Sequence, residues 1–321
     1  MSIVSEFTGI NSSSSTPSAC PVCSSVGPFP QRPAAEGFRL FECTKCGIVF
    51  LFPQPQEAEL AALYDETYYG EGRKKFLSPV EAGIAALSYL KWKNLQSVLG
   101  QGGRLLDIGC GRGTLLGLAR ASGFEAYGLE RPSTVGHSIP GILYKSLPEC
   151  NFPDGHFQVV VLWHVLEHLP DPVAMLREIS RILQPGGWLS VAVPNYGGAQ
   201  AQASGPLWFH MDLPRHFWQF RLSSLQALLV SNGFRVARYT TFSLEYDWFG
   251  TLQSWMNRAF QDDNQLYSLL KGNDATTVAK KMLRITAATF VALPAFGSAL
   301  WDAVRGQGGT LNVMAQRVGA E

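Results

Sequence analysis

The chain has 321 residues, of which 46% are hydrophobic and 16% charged, and its formal net charge is +1. That composition supports a sizeable core, as one α/β domain with an appendage or as two small domains, and excludes wholesale disorder. Near-neutrality argues against duplex nucleic acid as the partner, because phosphate neutralisation calls for a basic excess.

The chain opens without the basic start and apolar core of a secretory signal, and residues 1–17, rich in serine after Asn11, read as a flexible leader. Uninterrupted apolar runs stay below about 18 residues, so a simple spanning helix is not expected and the chain is expected in the cytoplasm. Residues 18–55 form the first expected domain. Four of the six cysteines stand as Cys20-Pro-Val-Cys23 and Cys43-Thr-Lys-Cys46, with 19 residues between the pairs. Two such turns bring four thiolates onto one metal, and four thiolates leave no open position, so the spacing predicts a structural zinc. Two disulfides or a redox pair are the alternatives; a reducing compartment disfavours the first, and no single thiolate stands out for the second.

Residues 56–102 read as a helical linker and cover. "CGIVFLFPQPQ" runs as a strand into a Pro-rich exit, and Leu60, Leu63 and Tyr64 fall at helical spacing. "SPVEAGIAALSYLKWKNLQSVLG" is a second helix, expected to pack on the main sheet.

The main domain is expected over 103–321. Arg104 to Ile108 reads as a short apolar strand and Thr114 to Arg120 as a helix, with Gly109, Gly111 and Gly113 between them. A strand–glycine turn–helix unit presents backbone N–H groups and a helix N-terminus to a ligand. The dinucleotide fingerprint wants its third glycine where Thr114 stands, and a carboxylate at Asp107 would repel a pyrophosphate but suit a cationic amino-acid group. Glu130 ends the next strand, where a carboxylate takes the hydroxyls of a ribose. Strand-like and helical runs then alternate to residue 195, which implies a parallel sheet covered on both faces.

His164, Glu167 and His168 follow a strand at i, i+3 and i+4, a spacing that predicts one shared helical face; capping the fold is the plain alternative. His216, with His210 behind it, is the expected distal partner. Trp208, Phe209, Phe217, Trp218 and Phe220 crowd one segment, as a lid over an acceptor or as core. Cys110 and Cys150 read as packing residues. "GFRVARYTTF" and "TLNVMAQRV" are the expected last strands, an antiparallel pair interrupted by an insertion at about 247–309. Within it Lys280, Lys281 and Arg284 precede an apolar run from Ile285 to Trp301, and Pro294 and Gly297 predict two short helices. Segment 279–306 could rest on a bilayer surface, cover the sheet or form a dimer contact.

Asp107-Ile-Gly109-Cys-Gly111-Arg-Gly113 followed by Glu130 resembles the first two motifs of class I S-adenosylmethionine-dependent methyltransferases. "FPDGHFQVVVLWHVLEHLPDP" and "ISRILQPGGWLSVAVPN" are similar to the fourth- and fifth-strand segments of that family, and the resemblance covers about residues 104 to 240. Gln158 departs from the aspartate many relatives carry. The resemblance implies a Rossmann-like, seven-stranded mixed sheet with helices on both faces. It also implies S-adenosylmethionine bound by Asp107, Gly109, Gly111, Gly113, Glu130 and His164, with Ser146 and Leu147 at the adenine, where an acidic residue is common. Beside it, the spacing and strand-end placement make His164, His168 and His216 the candidates for catalysis, His164 aimed at the cofactor methyl.

The cysteine ribbon with "FLFPQPQ" is similar to the zinc-binding front domain of a subset that includes sugar C-methyltransferases. The implied acceptor is a small or carrier-linked metabolite, such as a sugar of a surface polysaccharide, met in the cytoplasm or at the inner membrane face. Glu167 and His168 are similar to part of a Glu-x-x-Glu-His cluster that holds a divalent metal in some relatives, with His164 replacing the first glutamate. An RNA- or protein-modifying methyltransferase and a catalytically silent scaffold are the competing expectations.

Overall fold

A computed structural model describes residues 16–35, 37–56, 59, 78–100, 102–131, 139, 141–261, 264–271 and 276–319. The helix expected around Leu60, Leu63 and Tyr64 and most of the expected leader lie outside the described residues.

The cysteine-bearing segment forms β1 (Gln31–Arg32), β2 (Leu40–Glu42) and β3 (Val49–Leu51), joined antiparallel. A fourth strand comes from far along the chain: β9 (Trp218–Gln219) pairs with β3, Phe50 opposite Trp218. The ribbon is thus sewn into the main domain. Arg221 reinforces the seam with a bidentate grip on Glu42, at 2.8 and 3.2 Å.

Between these pieces lie α1 (Ser78–Leu99) and the principal α/β run. That run comprises β4 (Gly103–Ile108), α2 (Thr114–Ala121), β5 (Phe124–Glu130), β6 (Ile142–Tyr144), β7 (Phe157–Trp163), α3 (Pro172–Ile182) and β8 (Leu183–Pro194). After α4 (Ala199–Ser204) and β9 come α5 (Leu222–Ser231), β10 (Phe234–Thr240), α6 (Leu244–Phe260), α7 (Gln265–Leu270), α8 (Val278–Val304) and β11 (Thr310–Arg317). The seven-stranded sheet has the order β10-β11-β8-β7-β4-β5-β6; β4 to β8 pair in parallel, and β11 runs antiparallel to both neighbours.

Alternation along the central strands feeds both faces of this sheet. Leu105, Val159 and Val161 pack with Trp92 and Leu95 of α1 and Leu115, Leu116 and Ala119 of α2. Leu106, Ile108, Val160 and Leu162 face the other way, toward Leu176 and Ile179 of α3 and Leu225 and Leu229 of α5. Asp171 caps α3 by accepting from the Ala174 N–H at 2.8 Å, and Pro172 fills its first turn, where no donor is needed.

One expectation needs correction in the insertion. Pro294 and Gly297 do not divide it: α8 runs unbroken through both. Ala288, Ala295 and Ala299 are buried on either side of Pro294, and Ala288 and Ala295 share a core with Leu252 and Met256 of α6. Packing on both flanks holds the helix through a residue that only removes one backbone donor. In addition, α8 is long and apolar enough to cross a bilayer, alone among the described residues.

Candidate functional site

The cysteines converge. Cys20 and Cys46 lie Sγ to Sγ at 3.8 Å, Cys23 and Cys43 at 3.6 Å, and all four sulfurs fall within 4.8 Å of one another. These are not disulfide distances, and all four thiols are free. Four sulfurs at about 2.3 Å from one zinc sit about 3.8 Å apart, so the set fits a tetrahedral ion. Gly47, at φ 71°, lets the second knuckle close, its N–H donating to the Cys43 carbonyl at 2.9 Å. The Cys46 contact pulls the Cys20 thiol down to about 5.

The second locus lies at the carboxyl ends of β4, β5 and β7. Gly109, Gly111 and Gly113 all have positive φ, at 71°, 52° and 73°. They differ in their surroundings. A Cβ on Gly109 would come within 2.3 Å of Val165 Cγ2, whereas one on Gly111 would meet nothing within 4 Å. The first glycine lets β4 and the residues after β7 touch; the second borders open space. Glu130 closes that space, its Oε2 accepting from the Gly111 N–H at 2.7 Å and its Oε1 from the Arg131 N–H at 2.9 Å.

Asp107 is buried, and burial followed by repulsion from Glu130 pushes its carboxyl up to about 8, only partly offset by Lys91. A cationic ligand would stabilise both carboxylates, so this cleft fits the charged end of a sulfonium amino acid. Ser146 is exposed, with its N–H and hydroxyl donating to Glu149 at 2.7 and 2.6 Å, and Leu147 sits in the core beneath it.

Just after β7, next to the residue that touches Gly109, His164 has φ 56°, unusual for a residue with a side chain, and its N–H donates to the Ala192 carbonyl at 2.8 Å. The expected shared helical face is absent. Leu166–His168 is a single 3-10 turn, and the left-handed His164 and the extended φ of Val165, −131°, break the helix before it starts. Glu167 instead sits between two groups. On one side His164 Nδ1 lies 3.4 Å from its Oε1, a separation without hydrogen-bond geometry, so both Glu167 oxygens and His164 Nε2 are buried without a partner. On the other side Glu167, His168 and His216 offer ligand atoms within 4.8 Å of one another. His216 therefore joins Glu167 and His168, and His164 stands outside that group.

Burial drives the titrations here. It lifts Glu167 to about 8, with Asp212 adding to the effect, and holds His164 and His168 well below the usual imidazole value, so both imidazoles are neutral near pH 7. Backbone contacts fix the pair: His168 Nδ1 is 3.1 Å from the Arg215 carbonyl and His216 Nδ1 is 2.8 Å from the His210 carbonyl. The ribbon also reaches this point, since the Phe217 N–H donates to the Glu167 carbonyl and the Phe217 carbonyl accepts from the Leu51 N–H, at 2.9 and 2.8 Å.

Several residues of the site carry no sequence signal. Tyr246 of α6 lies on the His164 ring, with centroids 3.8 Å apart. Lys91 of α1 sits over Trp163 at 4.2 Å and Tyr246 at 5.3 Å, between the charges of Glu245 and Asp107. Each comes from a helix distant in sequence, and only the tertiary fold assembles them. Four of the five crowded aromatics, Trp208, Phe217, Trp218 and Phe220, are buried core, and Phe209, half-buried, packs on Phe249 and Tyr267.

This geometry defines an α/β protein with a mixed seven-stranded sheet and two carboxylates, Asp107 and Glu130, at the carboxyl ends of adjacent parallel strands. Residues 84–239 match the family model described as a methyltransferase domain, and the chain carries a class I S-adenosylmethionine-dependent methyltransferase domain. A ubiquinone biosynthesis O-methyltransferase of Bordetella avium (strain 197N) is 28% identical over 125 residues, 35% of this chain and 52% of the relative. The 27-O-demethylrifamycin SV methyltransferase of Amycolatopsis mediterranei (strain S699) is 32% identical over 119 residues, 32% of this chain and 44% of the relative. The chain spans about half the length of the curated relatives it matches. The crystal structure of the [4+2]-cyclase SpnF shares the fold at a TM-score of 0.50 and 20% identity, covering 83% of this chain and 98% of the cyclase.

Proposed function

We propose that the chain transfers a methyl group from S-adenosylmethionine to a hydroxyl of a small or carrier-linked metabolite. The observation that carries this reading is the pair of carboxylates Asp107 and Glu130 at the carboxyl ends of β4 and β5, with His164, whose buried Nε2 has no partner, following the neighbouring strand β7. Oxygen is the favoured acceptor atom because the Bordetella relative is named for O-methylation. A sugar of a surface polysaccharide, the acceptor implied by the ribbon's resemblance, belongs to the same class of hydroxyl compounds.

When bound, the cofactor supplies an electrophilic methyl on a cationic sulfur with a good leaving thioether. Glu130 would accept from the ribose hydroxyls, Asp107 would offset the positive charge, and Gly109, Gly111 and Gly113 would let the backbone come close. Ser146 would serve the adenine end, with Leu147 supporting it from the core. His164, kept neutral by burial, takes the acceptor's proton through Nε2 while Tyr246 holds its ring. Positioning does most of the work, so the base adds to a rate that orientation already provides.

In the same reading Glu167, His168 and His216 hold a divalent cation beside the acceptor, and Cys20, Cys23, Cys43 and Cys46 hold a structural zinc. Metal analysis of the purified protein then finds about one zinc per chain, lost in Cys43→Ser. Calorimetry with S-adenosylmethionine, followed by mass spectrometry of phenolic and sugar acceptors incubated with an isotopically labelled donor, tests the activity. Methyl-labelled product supports the reading. Absence of donor binding, or preferential binding of a nicotinamide dinucleotide, ends it.

A further inference from the structure

We propose that the outward face of α8 docks on an anionic phospholipid bilayer, with the helix lying along the surface rather than crossing it. Plotted at about 100° per residue, one half of α8 points away from the protein along its whole length of about 40 Å. That half holds Met282, Leu283, Phe290, Leu293, Trp301 and Val304, with Phe290, Leu293 and Val304 exposed by 78%, 80% and 81%. It contains no charged side chain. The buried residues of the helix, Ala288, Ala295 and Ala299, form the opposite stripe. Large apolar side chains held in water over so many turns mark an interaction surface rather than scattered exposure.

Charge selects the occupant. Lys280, exposed, borders the outward half, Lys281 and Arg284 lie further round and are half-buried, and Asp302, near the far end and also off the outward face, is the helix's one acid. A lipid surface with anionic headgroups complements an uncharged apolar strip bordered by a lysine at its first turn, and Trp301 is of the type that settles at the headgroup boundary. A spanning arrangement does not fit. α8 is tied lengthwise to α6: Trp248 Nε1 donates to the Ala292 carbonyl at 3.0 Å, Trp248 packs on Phe296, and Leu252 and Met256 share a core with Ala288 and Ala295. Crossing a bilayer would strip the helix from that core.

The same α6 carries Tyr246, two residues before Trp248, against His164. A bilayer under α8 therefore lies about one helix diameter from the cleft, and a lipid-dissolved or lipid-anchored acceptor would arrive at its mouth. That last step rests on the methyltransferase reading; the docking itself does not.

The test is flotation of the full chain with phosphatidylcholine vesicles, with and without about one third phosphatidylglycerol. The protein should float with the anionic vesicles and far less with the neutral ones. Phe290→Ser with Leu293→Ser should cut vesicle binding about tenfold or more, and Lys280→Glu with Lys281→Glu should abolish the preference for anionic lipid. Calorimetric donor binding, which needs no membrane, should be unchanged in both double variants and shows that each is folded. Wild-type protein that stays at the bottom of the gradient, or variants that float as well as wild type, would overturn the proposal. So would a concentration-dependent dimer by light scattering that the Phe290→Ser/Leu293→Ser variant loses without any lipid binding, since the face would then belong to a second copy.

Discussion

The two halves of the cleft are built in different ways. In the proposed reading the donor half comes mainly from one short stretch, Asp107 to Gly113, closed by Glu130 on the neighbouring strand, with Ser146 and Leu147 added after β6. The acceptor half is collected from across the chain: Lys91 from α1, His164 and Glu167 after β7, His216 before β9 and Tyr246 from α6. A local half can be kept intact while the other half changes. The SpnF cyclase shares the architecture under a name that is not a methyltransferase's, so the fold alone does not fix the reaction. Within this chain, donor binding and acceptor handling should therefore separate under mutation.

Glu130→Ala gives the largest expected effect. It removes a carboxylate that would accept two hydroxyl hydrogen bonds, at about 1.5 kcal/mol or more each, so calorimetry should show donor affinity falling by about 100-fold. Acceptor KM at saturating donor should barely move. An equal loss in both would mean that the halves are not separate.

Gly109→Ala strikes a place where the halves touch. Its Cβ would meet Val165 Cγ2 at 2.3 Å in a backbone held at φ 71°. The conformation and the clash together should cost about 2–3 kcal/mol of stability, read as a lower midpoint in thermal or urea unfolding. Val165→Ala in the same chain should recover the steric part alone. Gly111→Ala has the backbone cost without the clash, so it should be the milder of the two in stability and should weaken donor binding by filling the open space.

A pH series sharpens the electrostatics of the donor half. Without a cationic ligand the Asp107 carboxyl stands at about 8 against an ordinary 3.8, so at neutral pH it must shed a proton when the donor binds. Donor affinity should rise about tenfold per pH unit up to about 8 and then level off. Ligand-free stability should change in the opposite sense. The folded state keeps a proton that the unfolded carboxyl has already released, so this group's contribution is present in acid and lost as pH rises through about 8. Asp107→Asn should flatten both curves, at the cost of donor affinity.

The different construction of the two halves also explains what could be read from the sequence. Glycines at alternate positions with a carboxylate before and after them encode their own geometry, because the turn is made by the residues that bind. The paired cysteines behave the same way, each knuckle being a four-residue turn. The spacing His164, Glu167 and His168 misled because it presumes a helix, and the left-handed backbone of His164 is imposed by its place between β7 and the glycine turn. Pro294 misled for the converse reason: helix propensity is a weak term beside a buried alanine stripe on both sides of it. Tyr246 and Lys91 had no signal at all, because nothing in a helical stretch says which distant strand end it will face.

The smallest expected effect is the most discriminating one for the acceptor half. Tyr246 lies tilted against His164 with centroids 3.8 Å apart and has Lys91 5.3 Å from its own ring centroid, yet it sits on a helix that contributes nothing to the glycine turn. Tyr246→Leu keeps an apolar side chain over the imidazole and removes the ring contact, worth about 0.5–1.5 kcal/mol. The expected result is a three- to tenfold loss, appearing in acceptor kcat/KM and absent from donor affinity by calorimetry. If His164 takes the proton, the loosened imidazole becomes better hydrated, its pKa climbs toward the ordinary value, and the acid limb of the kcat profile should move to higher pH in the variant. A purely structural role for Tyr246 would lower the rate at every pH and leave that limb where it was. Only a ring held in place by Tyr246 for proton transfer predicts both the lower rate and the displaced limb.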